Sequence, residues 1–418
     1  MVPALILDLA VIVALAWVLG ALARRLGQPA VIGEILGGIL LGPTLFGGAI
    51  TTNLFPAGVR PPLATLANVG VCVFMFLVGL ELDRNLLRGQ ARIATTVSLS
   101  AVVLPFALGA VLALYLVDIH PTGHRLAFVL FLGTAMSVTA FPVLARILTD
   151  RGLLHTPIGG LALACAAVGD VLAWSMLAVV VALAGAGHDS WRILLVLPYV
   201  AAMLWVVRPL LARLAVRYPL TGRLAGAGAL FAMVVGLLLS AGATDRMGLH
   251  AIFGAFLFGF IMPREGAGSL RERALRWLGR ACSVLLLPVF FMVAGLKVDL
   301  SSVDGTDLGE LGLILLVAVG GKFVGAFLGT RANGAGLRHS AVLAVLLNAR
   351  GLTELIVLTV GLQLGVLDPR LFSLMVVMAL VTTTMTGVLL CLVYPPERMR
   401  LDTSDRYRLS HLSGKETA

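Results

Sequence analysis

Two ionisable side chains lie in the middle of long apolar segments. Asp170 stands within Ala164–Trp174, and Lys322 directly follows two glycines in another apolar run. Charged groups at membrane depth are costly and usually mark the path of an ion or a proton. A desolvated carboxylate can exchange a proton for a metal cation near neutral pH, so Asp170 is the first candidate ion-binding group. A structural ion pair is the alternative for both residues.

Two further apolar segments are interrupted at their centres. One contains Ser137–Pro142 and the other contains Asn348–Glu354. Pro142 removes a hydrogen bond from a helix, and Gly351 breaks an apolar run beside two charges. The ends of the resulting half-helices leave carbonyl and amide groups that can meet a cation. The alternative for Pro142 is an ordinary kink in a transmembrane helix.

The interruptions supply several candidate ligands. The hydroxyl of Thr139 and freed carbonyls near Ala140 are predicted to complete a cation shell around Asp170, because one carboxylate gives at most two oxygens. Arg350 and Glu354 stand at i, i+4 spacing, which allows them to pair with each other. A scaffold role and a site role are therefore both open for this pair. Asp8 lies near a membrane end, where we expect it to be solvated.

The composition explains why these polar residues are exceptional. Of 418 residues, 59% are hydrophobic and 12% are charged, about half the charged fraction of a soluble domain. This excludes a soluble enzyme and a disordered chain. The apolar runs predict an all-α polytopic membrane protein with about thirteen transmembrane helices, at residues 3–22, 28–47, 63–82, 94–116, 126–145, 157–184, 193–211, 226–243, 248–263, 281–298, 311–330, 340–364 and 371–394.

The basic residues predict the orientation of the chain. Most of the 31 Lys and Arg residues fall in alternate loops, counted from the loop with Arg24 and Arg25. Loops rich in Lys and Arg stay inside, so we expect a cytoplasmic-membrane protein with its N-terminus outside and its C-terminus inside. The net charge of +10 then reflects topology and anionic lipid rather than nucleic acid. Residues 1–394 form the predicted transmembrane domain, the first span being retained, and residues 395–418 a short cytoplasmic tail.

The sequence repeats itself in opposite orientation. Gly37–Pro43 resembles Gly254–Pro263, and Phe74–Asp83 resembles Phe290–Asp299, at nearly equal separations. Each copy follows its counterpart by seven predicted spans, an odd number, so the copies are inverted, as in many secondary transporters. The predicted repeats cover about 28–184 and 248–394 and pair the two interrupted spans with each other. Chance similarity between Gly-rich membrane helices is the alternative.

Motifs for other chemistry do not occur in the sequence. It contains no Walker motif, Rossmann glycine fingerprint, Cys/His metal cluster or nucleophile elbow. We therefore expect a protein that is not an enzyme, that has no cofactor and that binds no metal beyond a transported cation.

Together these motifs resemble the monovalent cation:proton antiporter superfamily, and within it the Kef-like and plant-type cation/proton exchanger branch. The resemblance covers about residues 28–365 in the family's order. It rests on Gln28–Gly38 with Gly42-Pro43, Gly79–Asp83, Thr139–Leu144, Gly169–Val171, Gly248–Phe256, Phe290-Phe291 with Gly295-Leu296, and Asn348–Leu355.

The resemblance implies a fold and a site. It implies two inverted repeats with crossed broken helices, a homodimer, and elevator-like alternating access by a core of spans 4–6 and 11–13. The family's ion-binding aspartate falls on Asp170, its core lysine on Lys322, and its broken helices around Thr139 and Gly351. One departure is Gly169, where the family often has Asn or Asp. Kef-type proteins usually add a soluble nucleotide-binding domain, which is not expected here; a separate regulatory subunit is the alternative.

The residues and the resemblance together predict an antiporter that exchanges Na⁺ or K⁺ for H⁺. A Kef-like gated potassium efflux channel is the alternative function. A transporter-shaped sensor and an efflux protein for an organic cation form a third class, although no wide polar or aromatic cage is legible in the sequence. Na⁺ and K⁺ both prefer oxygen ligands, so the sequence does not distinguish them.

Overall fold

The computed structural model describes residues 2–44, 49, 54–56, 58–81, 91–120, 122–153, 156–184, 195–217, 223–247, 251–263, 268–301 and 305–394. Every regular element in these ranges is a helix, as the composition predicts. The predicted tail, residues 395–418, lies outside the described residues, as do positions 82, 83 and 248–250 of the quoted motifs.

The helices follow one another with short connections. Two π-helical turns, at Met203–Val207 and at Cys282–Leu286, each join the helix before them to the helix after them. In chain order the helices are α1 (Val2–Arg25), α2 (Ala30–Leu41), α3 (Arg60–Glu81), α4 (Ala91–Leu116), α5 (Arg125–Ser137), α6 (Phe141–Asp150), α7 (Pro157–Ala184), α8 (Val196–Ala202), α9 (Arg208–Arg217), α10 (Arg223–Arg246), α11 (Ala251–Ile261), α12 (Gly268–Ala281), α13 (Leu287–Gly295), α14 (Gly305–Ala332), α15 (Leu337–Leu347), α16 (Leu352–Gln363) and α17 (Pro369–Val393).

Hydropathy and length agree with a membrane-spanning bundle. Within the described residues, nine helical segments are long and apolar enough to cross a membrane, two of them continuous through their π-helical turns. The other predicted spans contain the shorter apolar helices α2, α5, α11, α15 and α16. The two spans that the sequence shows as interrupted are each divided into two half-helices, as predicted: α5 and α6 in one, α15 and α16 in the other. The total of thirteen spans stays a prediction.

The chain forms two compact units. The first contains Met1–Leu22, Gly33–Leu82 and Leu177–Ser302, and the second contains Ala23–Ile32, Asp83–Met176 and Val303–Ala418. The second unit holds the helices of predicted spans 4–6 and 11–13, except for the end of α7 after Met176. These are the spans that the family resemblance assigns to a core. All the candidate site residues belong to this second unit.

Glycines set the helix contacts of the first unit. A Cβ on Gly38 would lie 2.3 Å from a main-chain oxygen of α13, and a Cβ on Gly295 would lie 2.5 Å from a main-chain oxygen of α2. A Cβ on Gly79 would lie 2.3 Å from a main-chain oxygen of α11, and a Cβ on Gly259 would lie 2.1 Å from a main-chain oxygen of α3. In the predicted repeat α2 corresponds to α11 and α3 to α13. The α2–α13 contact therefore has its repeat-related counterpart in the α3–α11 contact, which supports the inverted repeat.

Three predictions about the first unit are corrected. Asp8 was expected to be solvated, but its side chain is buried, because it lies one helical turn from Ile12 on the packed face of α1. The helix of predicted span 28–47 ends already at Leu41. The helix of predicted span 281–298 begins earlier, at Gly268, since a basic amphipathic stretch that is too polar for a hydropathy window continues it.

Glycines also bring α14 against α4 in the second unit. A Cβ on Gly321 would lie 2.9 Å from Pro105, and a Cβ on Gly325 would lie 2.4 Å from the carbonyl oxygen of Ser100. These two glycines flank Lys322 in the sequence. Close packing of this kind is favourable in a membrane because small residues let helix backbones approach.

A buried histidine ties three elements of the second unit together. His120, in the loop between α4 and α5, is almost completely buried. Its Nδ1 lies 2.6 Å from Asp368 Oδ2, and its Nε2 lies 3.1 Å from Glu310 Oε2. Asp368 is the N-cap of α17, and Glu310 belongs to α14. Beside this cluster, Arg370 pairs with the buried Asp307. Sequence reasoning missed the cluster because its members are far apart in the chain.

The pKa values of His120 and Asp368 favour the charged forms of these two residues. Burial of His120 lowers its pKa, but hydrogen bonds to Asp368 and Glu310 outweigh burial and hold the pKa above its ordinary value. Burial of Asp368 raises its pKa, but bonds from His120 and from the Leu371 N–H hold it below the usual value. Protonated His120 therefore stabilises the fold below about pH 6.5, and this stability is lost as the pH rises through the raised pKa. The contribution of Asp368 is present above about pH 3.8 and is lost as the pH falls through its lowered pKa.

Replacing the histidine is predicted to destabilise the protein in a pH-dependent way. His120→Gln should lower the free energy of unfolding by about 1–3 kcal/mol near pH 5.5, because charged hydrogen bonds are lost. The difference from wild type should shrink as the pH rises toward about 9. Thermal unfolding of the purified protein across this range measures the effect.

His124→Gln is the matched control, because His124 is exposed in the same loop. Equal destabilisation by the two substitutions, or a His120→Gln effect that grows with pH, would contradict the assignment.

Candidate functional site

The two interrupted spans cross at their breaks. Val138 leaves α5 in an extended conformation, and α6 begins at Phe141. The main-chain N–H of Ala140 donates to Ala349 O at 3.0 Å, and the hydroxyl of Thr139 donates to Leu347 O at 3.2 Å. These bonds join the first break to the second, so the polar backbone of each break is satisfied by the other.

Glycine is required at the second break. Gly351 has φ 149° and ψ −120°, a conformation that residues with a side chain rarely adopt. A Cβ at this position would also lie 2.7 Å from the side chain of Val143 in α6. Pro142 is the second residue of α6, where a missing N–H costs little. It therefore starts the second half-helix instead of interrupting a continuous one.

Asp170 lies at the crossing, within the long helix α7. Its side chain is 4% exposed. The carboxylate accepts a hydrogen bond from the main-chain N–H of Phe141, the first residue of α6. The start of a helix carries a partial positive charge that stabilises an anion. Oδ1 of Asp170 is buried and has no hydrogen-bond partner among the described residues.

Lys322 caps the end of α5 from α14. Its ammonium group is fully buried and donates to the carbonyl oxygen of Ser137 and to Thr139 Oγ1, the latter at 2.6 Å. It also interacts electrostatically with Asp170. The hydrogen-bond partners of the lysine are thus the carbonyl group at the break and the hydroxyl of Thr139.

Arg350 caps the same helix end from the second break. Its Nη1 donates to Ala135 O at 3.0 Å and its Nη2 to Met136 O at 2.7 Å. Nη1 also donates to Glu354 Oε1 at 2.7 Å, and both side chains are fully buried. The i, i+4 pair that the sequence allows is therefore formed. It holds the crossing together, since removing one partner would leave a buried charge uncompensated.

The ligands predicted near the break already have protein partners. The carbonyl of Ala140, predicted to be free, accepts the N–H of Leu144 at 2.9 Å as the first hydrogen bond of α6. The hydroxyl of Thr139 accepts from Lys322 and donates to Leu347 O. These partners have a physical reason: a carbonyl inside a membrane is stable only with a donor, and the protein's own cations and amides supply the donors. A role of Thr139 and Ala140 as cation ligands stays a prediction.

Asn348 is a polar residue of the crossing to which the sequence reasoning gave no role. It is fully buried at the end of α15, and neither its Nδ2 nor its Oδ1 has a hydrogen-bond partner among the described residues. Buried amides are almost always hydrogen-bonded, so this side chain is suited to a water molecule or an ion. Its place at the start of the quoted motif Asn348–Leu355 was the available signal.

The crossing offers hard oxygen ligands inside a buried site. One carboxylate oxygen of Asp170, Oε2 of Glu354 and the amide oxygen of Asn348 lack protein partners within the described residues. Carboxylate, amide and water oxygens suit hard cations. The same carboxylate can instead take up a proton. The arrangement can therefore bind a small cation or a proton at one group.

Comparisons with known proteins identify the family of the chain. The family model for the transmembrane sodium/hydrogen exchangers matches residues 10–393. The Na(+)/H(+) antiporter NhaS4 of Synechocystis sp. is 38% identical over 398 residues, which cover 93% of this chain and 96% of that protein. The K(+)/H(+) antiporter 1 of Saccharomyces cerevisiae is 33% identical over 88% of this chain and 44% of its own length. Several antiporters of Arabidopsis thaliana are likewise matched over about half their length.

A solved structure has the same fold. The sodium proton antiporter MjNhaP1 from Methanocaldococcus jannaschii superposes with a TM-score of 0.67, covering 94% of this chain and 97% of that chain at 14% sequence identity. The helices, the crossed breaks, the family match over nearly the whole chain and the relatives lead to one conclusion: the chain belongs to the sodium/hydrogen exchanger family of integral membrane proteins.

Proposed function

We propose that this protein is a secondary antiporter that exchanges a monovalent cation, Na⁺ or K⁺, for H⁺ across the cytoplasmic membrane. The observation that carries the proposal is the position of Asp170, buried at the crossed breaks with one carboxylate oxygen unpartnered among the described residues. Family membership and the relatives named as cation/H⁺ antiporters support it.

Competition for one carboxylate couples the two fluxes. Ionised Asp170 attracts a dehydrated cation, and protonation removes the charge that holds it. The group then releases the cation on the side where protons are abundant and binds it where they are scarce. This exchange needs no ATP, since the gradient of one ion drives the other. The amide of Asn348 and water supply further ligands.

The fixed charges of the crossing keep the cation from binding elsewhere. Glu354 is paired with Arg350, so its charge is compensated. Lys322 and Arg350 donate hydrogen bonds to the carbonyl oxygens at the end of α5. These oxygens could otherwise coordinate a free cation. Asp170 is the acidic group of the crossing that has no hydrogen-bonded cation among the described residues.

Alternating access is proposed to move the second unit as a body. Asp170, both breaks, Lys322 and the Arg350–Glu354 pair all belong to this unit, so it can carry the ion without taking the site apart. We further propose that the chain works as a homodimer, with its N-terminus outside and its C-terminus inside. The Lys and Arg bias of the loops supports this orientation.

Asp170→Asn is predicted to abolish exchange while the protein stays folded, because Asn keeps the shape of the side chain but does not titrate. The measurement is cation-driven proton flux in proteoliposomes with Na⁺, K⁺ and Li⁺ in turn. Asn348→Asp is a companion variant that adds a titratable group instead of removing one. Normal flux in Asp170→Asn, or single-channel currents in the wild type, would contradict the proposal.

Thr139→Val is predicted to weaken cation use and stability together. Valine keeps the shape but removes the acceptor for Lys322 and the donor to Leu347 O, at a cost of about 1–3 kcal/mol in unfolding free energy. We expect a higher KM for the cation, since the freed ammonium group disturbs the crossing. Thr139→Ser, which keeps the hydroxyl, should restore both quantities. An unchanged KM in the Val variant would remove Thr139 from the site.

Lys322→Ala is predicted to reduce thermal stability chiefly and to leave part of the exchange. The substitution leaves Ser137 O and Thr139 Oγ1 without their donor. Melting temperature and proton flux are measured on the same preparation. Loss of flux at every pH with an unchanged melting temperature would instead make the lysine a participant in transport.

A further inference from the structure

A cavity of about 440 Å³ lies in the second unit, away from the crossed breaks. It is formed by the connection between α1 and α2, by the C-terminal end of α6 and by α17. Arg24, Arg151, Gln28 and Gly387 are among the residues that line it, and none of the described lining residues is acidic. Two guanidinium groups around one cavity indicate an anionic occupant.

The amide of Gln28 adds a second requirement. Its Nε2 is directed toward Thr384 O, 3.5 Å away, and because a carbonyl only accepts, the nitrogen must be the atom on that side. Its Oε1 is buried without a hydrogen-bond partner among the described residues. A Cβ built on Gly387 would stand 3.5 Å from this oxygen, so the oxygen lies beside another lining residue. An occupant of the cavity therefore meets an acceptor as well as two cations.

The cavity lies where membrane headgroups are expected. Arg24 is exposed near the end of α1, a helix apolar enough to span a membrane. The loop that follows is on the predicted inner side, which faces anionic lipid in most cells. Arg151 follows the last residue of α6 and donates from Nη2 to Gly387 O at 3.4 Å, so its guanidinium is held at the cavity.

We propose that this cavity binds a phosphate group that also carries a hydroxyl. The phosphate oxygens would accept from Arg24 and Arg151, and the hydroxyl would donate to Gln28 Oε1. Arginine binds phosphate through two parallel N–H groups, which favours phosphate over a monatomic anion. Inorganic phosphate and the glycerol phosphate headgroup of an anionic lipid both have this chemistry.

Binding of the anion in the cavity would affect α6, the helix that donates a hydrogen bond to Asp170. The anion joins the Ala23–Ile32 connection to the C-terminal end of α6, and the first residue of α6 donates to Asp170. The binding site itself does not depend on the proposed antiport, and its test needs no flux measurement.

The test measures stabilisation of the purified full-length chain by two probes. One arm titrates inorganic phosphate against NaCl at equal ionic strength and follows the melting temperature. The other compares nanodiscs of phosphatidylcholine alone with nanodiscs that also contain phosphatidylglycerol. We expect at least one probe to raise the melting temperature of the wild type. Arg24→Gln and Arg151→Gln should each weaken the apparent affinity about tenfold or more.

Arg25→Gln is the matched control, because Arg25 is exposed next to Arg24 but is not among the lining residues. A response to phosphate alone identifies a free phosphate ligand, and a response to phosphatidylglycerol alone identifies a lipid headgroup. The proposal is overturned if neither probe stabilises the wild type, or if Arg25→Gln weakens binding as much as Arg24→Gln. Should Arg151→Gln not fold, the comparison of Arg24 with Arg25 decides the question.

Discussion

Carbonyl groups released inside a membrane must find donors, and the architecture of the second unit follows from how this protein supplies them. The last carbonyls of α5 accept from two buried cations, Arg350 at Ala135 and Met136, and Lys322 at Ser137. Each unsatisfied group would cost several kcal/mol at that depth. Both cations therefore stabilise the break in α5, and the freed carbonyls in turn help to accommodate two buried positive charges.

The same constraint distinguishes the two acidic groups of the crossing. Glu354 compensates Arg350 directly at 2.7 Å. Lys322 interacts with Asp170 electrostatically, but its hydrogen bonds in the described structure go to the carbonyl of Ser137 and the hydroxyl of Thr139. Asp170 thus keeps a free carboxylate oxygen in a site that has its charge nearly balanced. A single carboxylate in such a setting can change its occupant at small cost, which is what exchange of a proton for a cation requires.

Much of this unit was predictable because membranes penalise polarity so strongly. An aspartate, a lysine and two interrupted spans stand out against apolar runs, and their pairing follows from the inverted repeat; the structure confirms that the two breaks cross. Other features gave no such signal. His120, Glu310 and Asp368 are ordinary loop and helix-end residues in the sequence, and only the fold brings them together. Asp8 was misjudged because its position near a helix end says nothing about which face of the helix is packed.

The sequence by itself determined that the chain is helical, that it lies in a membrane, which residues are too polar for their surroundings and where two helices must break. These properties depend on composition and on neighbours within a few residues. Only the tertiary structure decided how the freed backbone groups are satisfied. It assigned the hydroxyl of Thr139 to Lys322, the end of α5 to Arg350, and the carbonyl of Ala349 to the N–H of Ala140. The reason is that a hydrogen bond depends on distance and direction between atoms, and residues some 200 positions apart acquire these only when the helices pack.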